Sequence, residues 1–213
     1  TDDLDTAVAG LLVSRGGSVV TEEQHARLPK VLADVVRTPH GEAFGNLRLA
    51  DLEATDHLDE MNFYLPVAPD RPVSAGSIGT VIRSHLDDDD LLAPWAERLA
   101  TGLANLDLQG YLNGSIDLTL RYRVDGGYRY SVVDYKTNNL APQGTTGMLS
   151  HYGPEQMAKT MAHSHYALQA IIYSVALHRY LRWRLPDYEP AVHMGPVGYL
   201  FVRGTVGAEE PVV

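Results

Sequence analysis

Asp117, Asp134 and Lys136 are the residues of this chain whose types and spacing could do chemistry together. Asp134 and Lys136 stand two apart in Val133-Asp-Tyr-Lys-Thr-Asn138, and residues two apart on a strand share a face. Asp117 lies in Gly114-Ser-Ile-Asp-Leu-Thr-Leu-Arg-Tyr-Arg-Val124, a second run rich in β-branched and aromatic residues. Two carboxylates converging on one point repel unless a cation sits between them. Hard oxygen donors with few other ligands suit Mg2+, which keeps several waters and takes the rest from carboxylates and a substrate phosphate. Such an ion polarises a phosphoryl oxygen and lowers the pKa of a bound water. A lysine beside it adds a compact positive charge for the same phosphate or for positioning the water. The competing reading is a cross-strand ion pair between Asp117 and Lys136 on a solvated sheet face. Against it, lysine is not the usual cation here: Lys30, Lys136 and Lys159 stand against fourteen arginines.

A hairpin has to position the three. Asp125-Gly126-Gly127 predicts a tight turn between the two runs. A primed turn closing on Gly126-Gly127 places Asp117 opposite Lys136 and diagonal to Asp134, and diagonal neighbours sit roughly 7–8 Å apart. Alternation puts Ile116, Leu118 and Leu120 on one face, and Ser115, Asp117 and Thr119 on the other. A slip of one residue would move every side chain to the opposite face.

Gly110-Tyr-Leu-Asn-Gly-Ser-Ile-Asp117 followed by Val133-Asp-Tyr-Lys-Thr-Asn138 resembles the PD-(D/E)xK nuclease signature in its Asp-Tyr-Lys form. More narrowly, the chain is similar to the C-terminal nuclease domain of the bacterial RecB exonuclease–helicase subunit. Glu60-Met-Asn-Phe-Tyr-Leu-Pro66 looks like the family's strand ahead of the signature. Gln169-Ala-Ile-Ile-Tyr173 matches its Gln-x-x-x-Tyr helix motif, Ala176-Leu-His-Arg-Tyr-Leu181 continues the match, and Gly198-Tyr-Leu-Phe-Val-Arg-Gly204 resembles its late strand. The likeness covers roughly residues 60–204. It implies an α/β restriction-endonuclease-like core, a mixed central sheet flanked by helices. It also implies Mg2+-dependent exonuclease hydrolysis of DNA in double-strand-break repair, with Mn2+ or Ca2+ able to occupy the same site. DNA, delivered as a single strand by a helicase, and RecC- and RecD-type subunits are the implied partners.

Carried over by this resemblance, Asp117 and Asp134 are metal-binding carboxylates, the main-chain carbonyl of Tyr135 is a further ligand, and Lys136 is the catalytic lysine. Gln169 and Tyr173 face the active site from a neighbouring helix. There are departures. The family carries a histidine ligand in a Gly-Thr-x-x-His-type helix ahead of this core; no such segment is read here, and neither His25 nor His40 has the right surroundings. Asn62 stands where a second acidic residue is expected. These departures support a rival reading, a catalytically degenerate nuclease fold serving protein–protein interaction. The presence of Asp117, Asp134 and Lys136 together opposes it. A stand-alone phosphodiesterase on small substrates is disfavoured by the likeness outside the signature.

Two hundred and thirteen residues, 45% of them hydrophobic, suit a single domain over 1–213 with a substantial core. No apolar run long enough for a membrane span and no signal peptide is read. The absence of cysteine excludes disulfides and thiolate metal sites and fits a reducing cytoplasm. The chain starts at Thr1 and ends on Glu-Glu-Pro-Val-Val, so it is expected to be a fragment of a longer polypeptide, lacking the histidine-bearing helix and the C-terminal end. Seventeen basic and twenty-seven acidic residues give −10, which argues against non-specific duplex binding by a free domain.

Apolar spacing predicts a short helix over 4–14, and Thr21-Glu-Glu-Gln24 reads as a capping box opening a helix to about 37. His25 and His40 are expected at the surface. Strands are predicted over 46–53 and 60–67, and a helix over 74–86. Asp87-Asp-Asp-Asp90 is expected to favour the positive end of the helix that follows. Residues 138–153 read as a polar loop, near the substrate path by resemblance. The helical tract 154–185 is expected to break near His163-Ser164-His165. Tyr166, Gln169, Tyr173 and Tyr180 would share one helical stripe, able to stack or hydrogen-bond a single strand. Leu168, Ile171, Ile172 and Val175 would form the apolar counterpart. His178, Arg179, Arg182 and Arg184 gather at the end of that helix, placed for its dipole or for phosphates. Residues 197–203 close the sheet as a late strand.

Overall fold

The computed structural model describes residues 6, 22–67, 73–90, 92–102, 107–108, 110–145, 147–163 and 166–205. In chain order its elements are α1 (Glu22–Arg37), β1 (His57–Pro66), β2 (Val73–Ser74), α2 (Ala75–Arg83), α3 (Ala93–Gly102), β3 (Asp107–Leu108), β4 (Tyr111–Val124), β5 (Gly127–Lys136), α4 (Pro154–His163), α5 (Tyr166–Arg184), α6 (Pro190–His193) and β6 (Met194–Phe201). The main sheet runs β1-β4-β5-β6, and β2 pairs with β3 separately. β1, β4 and β5 are antiparallel neighbours, whereas β6 lies parallel to β5. The crossover that parallel pairing requires is supplied by α4 and α5. This is an α/β architecture with a mixed central sheet flanked by helices, consistent with a restriction-endonuclease-like core.

Apolar residues cover both faces. On one, Met61, Phe63, Leu65, Ile116 and Val132 pack under Tyr173, Ala176, Leu177 and Leu181 of α5. On the other, Leu118, Leu120, Tyr122 and Val133 pack under Phe44. α2 and α3 lean on the first half of α5 through Ile78, Ile82, Trp95, Leu99, Leu168 and Ile171. Ser74 caps α2, accepting the Ser77 N–H at 3.0 Å while Ser77 Oγ accepts the Ser74 N–H at 3.2 Å. Val175, expected on the apolar stripe of α5, is exposed instead.

The β4–β5 turn differs from the expected one. Val124 pairs with Gly127, so Asp125 and Gly126 form the loop, and Gly126 takes the positive φ of 90° that favours glycine. The register therefore shifts by two residues, and continuing it sets Asp117 across from Asp134 rather than Lys136. A shift of two preserves which face each residue occupies.

The expected alternation of β4 breaks. Ile116 packs with the α5 cluster, but Leu118 and Leu120 pack on the opposite face. Thr119, in turn, lies on the α5 side, its Oγ1 3.9 Å from Met61 Sδ. Facing is thus reversed between Ile116 and Thr119. In β1, Glu60, which lies between the partners of Ile116 and Leu118, has a positive φ of 50°. The two strands are distorted together, at Asp117.

Residues 46–53 are not a strand. Gly45 and Asn46 both take left-handed φ values, 62° and 56°, and a 3-10 turn over Leu49–Asp51 follows. Leu47, Leu49 and Leu52 still reach the Phe44 cluster, so the alternation reflects packing rather than extended pairing. The 4–14 prediction falls outside the described residues except Thr6, and Thr21 of the capping box is also outside them.

Candidate active site

β5 delivers two charged side chains to the face beneath α5. Asp134 is 4% exposed and Lys136 9%, with Lys136 Nζ 2.5 Å from Asp134 Oδ2. Burial pushes the Asp134 carboxyl above its ordinary range; the bond and charge of Lys136 oppose this, and the Asp117 charge adds to it. Asp117, half-buried at the distorted point of β4, accepts the Tyr135 N–H on Oδ2 at 2.9 Å. The β4–β5 ladder runs only as far as Leu118–Val133. The Asp117 carboxylate takes up a strand N–H just past that point, which ties its position to β5.

α5 braces the lysine. Lys136 Nζ donates to Gln169 Oε1 at 3.1 Å, Gln169 Nε2 donates to the Tyr173 hydroxyl at 2.9 Å, and that hydroxyl donates to the Ser115 carbonyl at 2.9 Å. The chain of bonds links β5, α5 and β4. Gln169 and Tyr173 are four apart, so one helical face presents both. Burial raises the Tyr173 hydroxyl above the usual phenol range, keeping it a donor.

Two further aromatic rings complete the lysine's surroundings. Its ammonium lies 4.1 Å from the Tyr166 ring centroid and 5.0 Å from that of Tyr199. The rings stack at 5.5 Å and 29°. The Tyr199 hydroxyl donates to the Tyr166 carbonyl at 2.6 Å and lies 3.2 Å from Gln169 Oε1. Burial also raises the Tyr199 phenol. Tyr199 was not among the residues singled out from sequence. Its signal is parallel pairing, since it stands beside Asp134 in the β5–β6 ladder.

Of the expected residues, Asp134, Lys136, Gln169 and Tyr173 meet in one network, and Asp117 adjoins it through the Tyr135 backbone. The Tyr135 side chain is partly exposed. Tyr180 packs against the sheet core farther along α5. His40 is not at this site: it lines a cavity of about 270 Å³ with Phe44, Val133 and Gly198, where its Nε2 is buried without a hydrogen-bond partner among the described residues. Burial lowers its pKa, which corrects the surface reading; the His25 side chain lies outside the described residues.

Among the described residues no three His, Cys, Asp or Glu side chains gather closely enough to hold a metal ion. The donor set on hand is two carboxylates and main-chain oxygen. An all-oxygen set of this size fits a hydrated Mg2+ better than zinc. Ahead of β4, α2 carries Gly79-Thr80-Val81-Ile82-Arg83, which resembles the Gly-Thr-x-x-His pattern with arginine last. A pattern keyed on histidine misses it. Gly79 is pressed against α3, since a Cβ there would lie 2.4 Å from the Ala100 nitrogen. Arg83 bonds the Leu86 carbonyl and the Asp88 carboxylate.

No family model matches the chain. The RecBCD enzyme subunit RecB of Mycobacterium tuberculosis is 46% identical over 201 residues, covering 88% of this chain and 18% of that protein. The chain belongs to the RecB family. RecB of Mycolicibacterium smegmatis is 40% identical over 218 residues, 100% of this chain and 20% of that protein. RecB of Escherichia coli is 36% identical over 184 residues, 86% of this chain and 14% of that protein. The chain thus spans a fifth or less of the length of these RecB relatives. No helix among the described residues is long and apolar enough to cross a membrane.

Proposed function

We propose that this chain is the Mg2+-dependent nuclease domain of a RecBCD-type helicase–nuclease, hydrolysing DNA phosphodiester bonds in the cytoplasm alongside RecC- and RecD-type partners. The observation that carries the reading is the buried Asp134–Lys136 pair, beside Asp117 and braced by Gln169 and Tyr173. A metal held by Asp117, Asp134 and the Tyr135 carbonyl would supply Lewis acidity toward a phosphoryl oxygen and a lowered pKa for its water. The protein's own part is positional. Lys136, held by Gln169 and the Tyr166 and Tyr199 rings, offsets negative charge developing on the phosphate. Asp117 is fixed by the Tyr135 N–H, and buried Asp134 brings the second carboxylate to the same place.

The test is metal binding and cleavage together. Calorimetry should detect Mg2+ or Mn2+ binding that vanishes in Asp134→Ala, and Lys136→Ala should abolish cleavage while leaving metal binding intact. Cleavage retained in Lys136→Ala would sink the assignment. A second reading, a degenerate nuclease fold that binds other proteins, is favoured by Arg83, because a guanidinium cannot act as a metal ligand. A folded chain that binds no divalent cation would decide for it.

A further inference from the structure

Thr38-Pro-His-Gly41 follows α1 and leads into the turn that carries Phe44. Its backbone is tied at several points. Thr38 Oγ1 donates to the Asp34 carbonyl at 2.8 Å, and the His40 N–H donates to the Leu47 carbonyl at 2.9 Å. The Gly41 carbonyl accepts the Phe44 N–H at 3.1 Å and the Asn46 N–H at 2.8 Å, with Gly41 at a φ of 77° that favours glycine. These bonds hold the imidazole against the cavity of about 270 Å³, which is walled by this turn, by β5 and β6, and by Met157 of α4.

The lining is uncharged. Phe44, Val133, Met157, Leu200 and Phe201 give it apolar walls, and among the described residues no Asp, Glu, Lys or Arg lines it. Each hydroxyl-bearing residue on the wall donates its proton elsewhere. Thr38 gives it to the Asp34 carbonyl, Tyr152 to the Asn138 carbonyl at 2.9 Å, Tyr199 to the Tyr166 carbonyl, and Thr205 to the Phe201 carbonyl at 3.2 Å. His40 Nε2 is left buried with no partner among the described residues. A polar atom buried unpaired costs free energy, so it calls for a partner. Water serves poorly, because a buried water makes about three hydrogen bonds and here would find a single unpaired side-chain atom. Burial lowers the His40 pKa, so the ring is neutral at pH 7 and offers no charge to an anion.

We propose that this cavity is a binding site for a small uncharged aromatic molecule bearing one hydroxyl, its ring on the apolar walls and its hydroxyl on His40 Nε2. A mostly apolar concavity with one polar group is the usual form of a small-molecule site. The size agrees, since an apolar cavity of about 150 Å³ already takes up benzene. Phe44, Tyr152 and Phe201 on the wall favour an aromatic ring, which they can meet edge to face. A hydroxyl both donates and accepts, so it pairs with Nε2 in either neutral tautomer. Val133 of the lining faces away from Asp134 along β5. The ligand is therefore separate from whatever binds Asp134 and Lys136, and its presence does not depend on nuclease activity.

Three probes built on one ring test this. The compound 4-methylphenol carries the hydroxyl, 1,4-dimethylbenzene replaces it with a methyl, and 4-methylbenzoate replaces it with a charge. Titrated into the isotope-labelled chain in EDTA and followed by NMR, 4-methylphenol should bind saturably, with shifts centred on His40, Phe44, Tyr152 and Leu200. The His40 Nε2 resonance should move with it and hardly at all with 1,4-dimethylbenzene. The dimethyl compound should bind about 2- to 12-fold more weakly, the worth of one net hydrogen bond, and the benzoate should not bind. His40→Leu should take both neutral probes alike, and Met157→Trp, at a half-buried wall position, should block both. Shifts that do not saturate, equal affinity of the two neutral probes for the native chain, or unchanged binding in Met157→Trp would overturn the site. So would a preference for the hydroxyl that survives in His40→Leu. The comparison of probes on the native chain decides the matter even where a variant fails to fold.

Discussion

Replacing Lys136 with alanine should destabilise the chain by an amount that depends on pH. The lysine and Asp134 are both less than a tenth exposed and sit 2.5 Å apart. Removing one member of a buried pair leaves the other charge without compensation and costs about 3–5 kcal/mol. At a urea slope of about 2 kcal/mol per molar, the unfolding midpoint should fall by about 1.5–2.5 M at pH 8. Asp134 already has a native pKa raised above its ordinary 3.8, chiefly by burial, with Lys136 as the main opposing influence. A carboxyl raised on folding binds its proton more tightly in the native state. Stability is therefore lost as pH rises from the unfolded value through the native one, and the loss is constant above that. Deleting Lys136 raises the native value further, so the mutant's deficit should be small near pH 4 and grow towards neutrality. Asp134→Asn combined with Lys136→Met should recover most of the loss, since an apolar pair of similar size removes the stranded charge. Urea titrations of the three variants across pH, in EDTA, read this directly. A deficit equal at pH 4 and pH 8, or a double variant no better than Lys136→Ala, would show that the buried charge is not what the lysine offsets.

Gly79→Ala should lower stability by about 1–3 kcal/mol or more, because its methyl would meet the Ala100 backbone at 2.4 Å and force α2 off α3; a thermal melt checks it, and an unchanged midpoint would contradict the packing. Tyr199→Phe keeps the ring over Lys136 but removes the hydroxyl from the Tyr166 carbonyl and Gln169. It should cost about 0.5–1.5 kcal/mol in chemical denaturation, and lower the cleavage rate more than substrate affinity. Gly126→Ala should destabilise by about 1 kcal/mol or more, since φ is 90° there, and equilibrium unfolding measures it.

Much of the site was legible because strand parity survives errors of two. The expected turn on Gly126-Gly127 was displaced to Asp125-Gly126, yet Asp134 and Lys136 kept the face that a spacing of two assigned them. The late strand also came from a local signal, a dense apolar run, whereas the break expected near 163–165 falls on Ser164 and His165, which lie outside the described residues. Residues 46–53 misled because Leu47 and Leu49 alternate for a reason that is not extended backbone: left-handed Gly45 and Asn46 turn the chain so that these leucines reach Phe44. Tyr199 was invisible until β6 was known to run beside β5.

The distortion at Asp117 shows what sequence pattern could not contain. Strict alternation assigns Ile116, Leu118 and Leu120 to one core, but the strand serves two, with Ile116 under α5 and Leu118 and Leu120 under Phe44. A reversal of facing has to occur between them, and it falls on the residue whose carboxylate turns to the Tyr135 N–H. Glu60 takes the left-handed backbone that the neighbouring strand needs at the same level, a conformation uncommon for a residue with a Cβ. Strain of this kind persists only where surrounding structure holds it, and here both cores do so. Glu60→Gly should therefore stabilise the fold by relieving that backbone, whereas a strand that merely happened to bend at Asp117 would lose stability from glycine's added freedom in the unfolded chain. Equilibrium unfolding of that one variant, read for the sign of the change, decides whether the kink that sets Asp117 in place is imposed by the two cores.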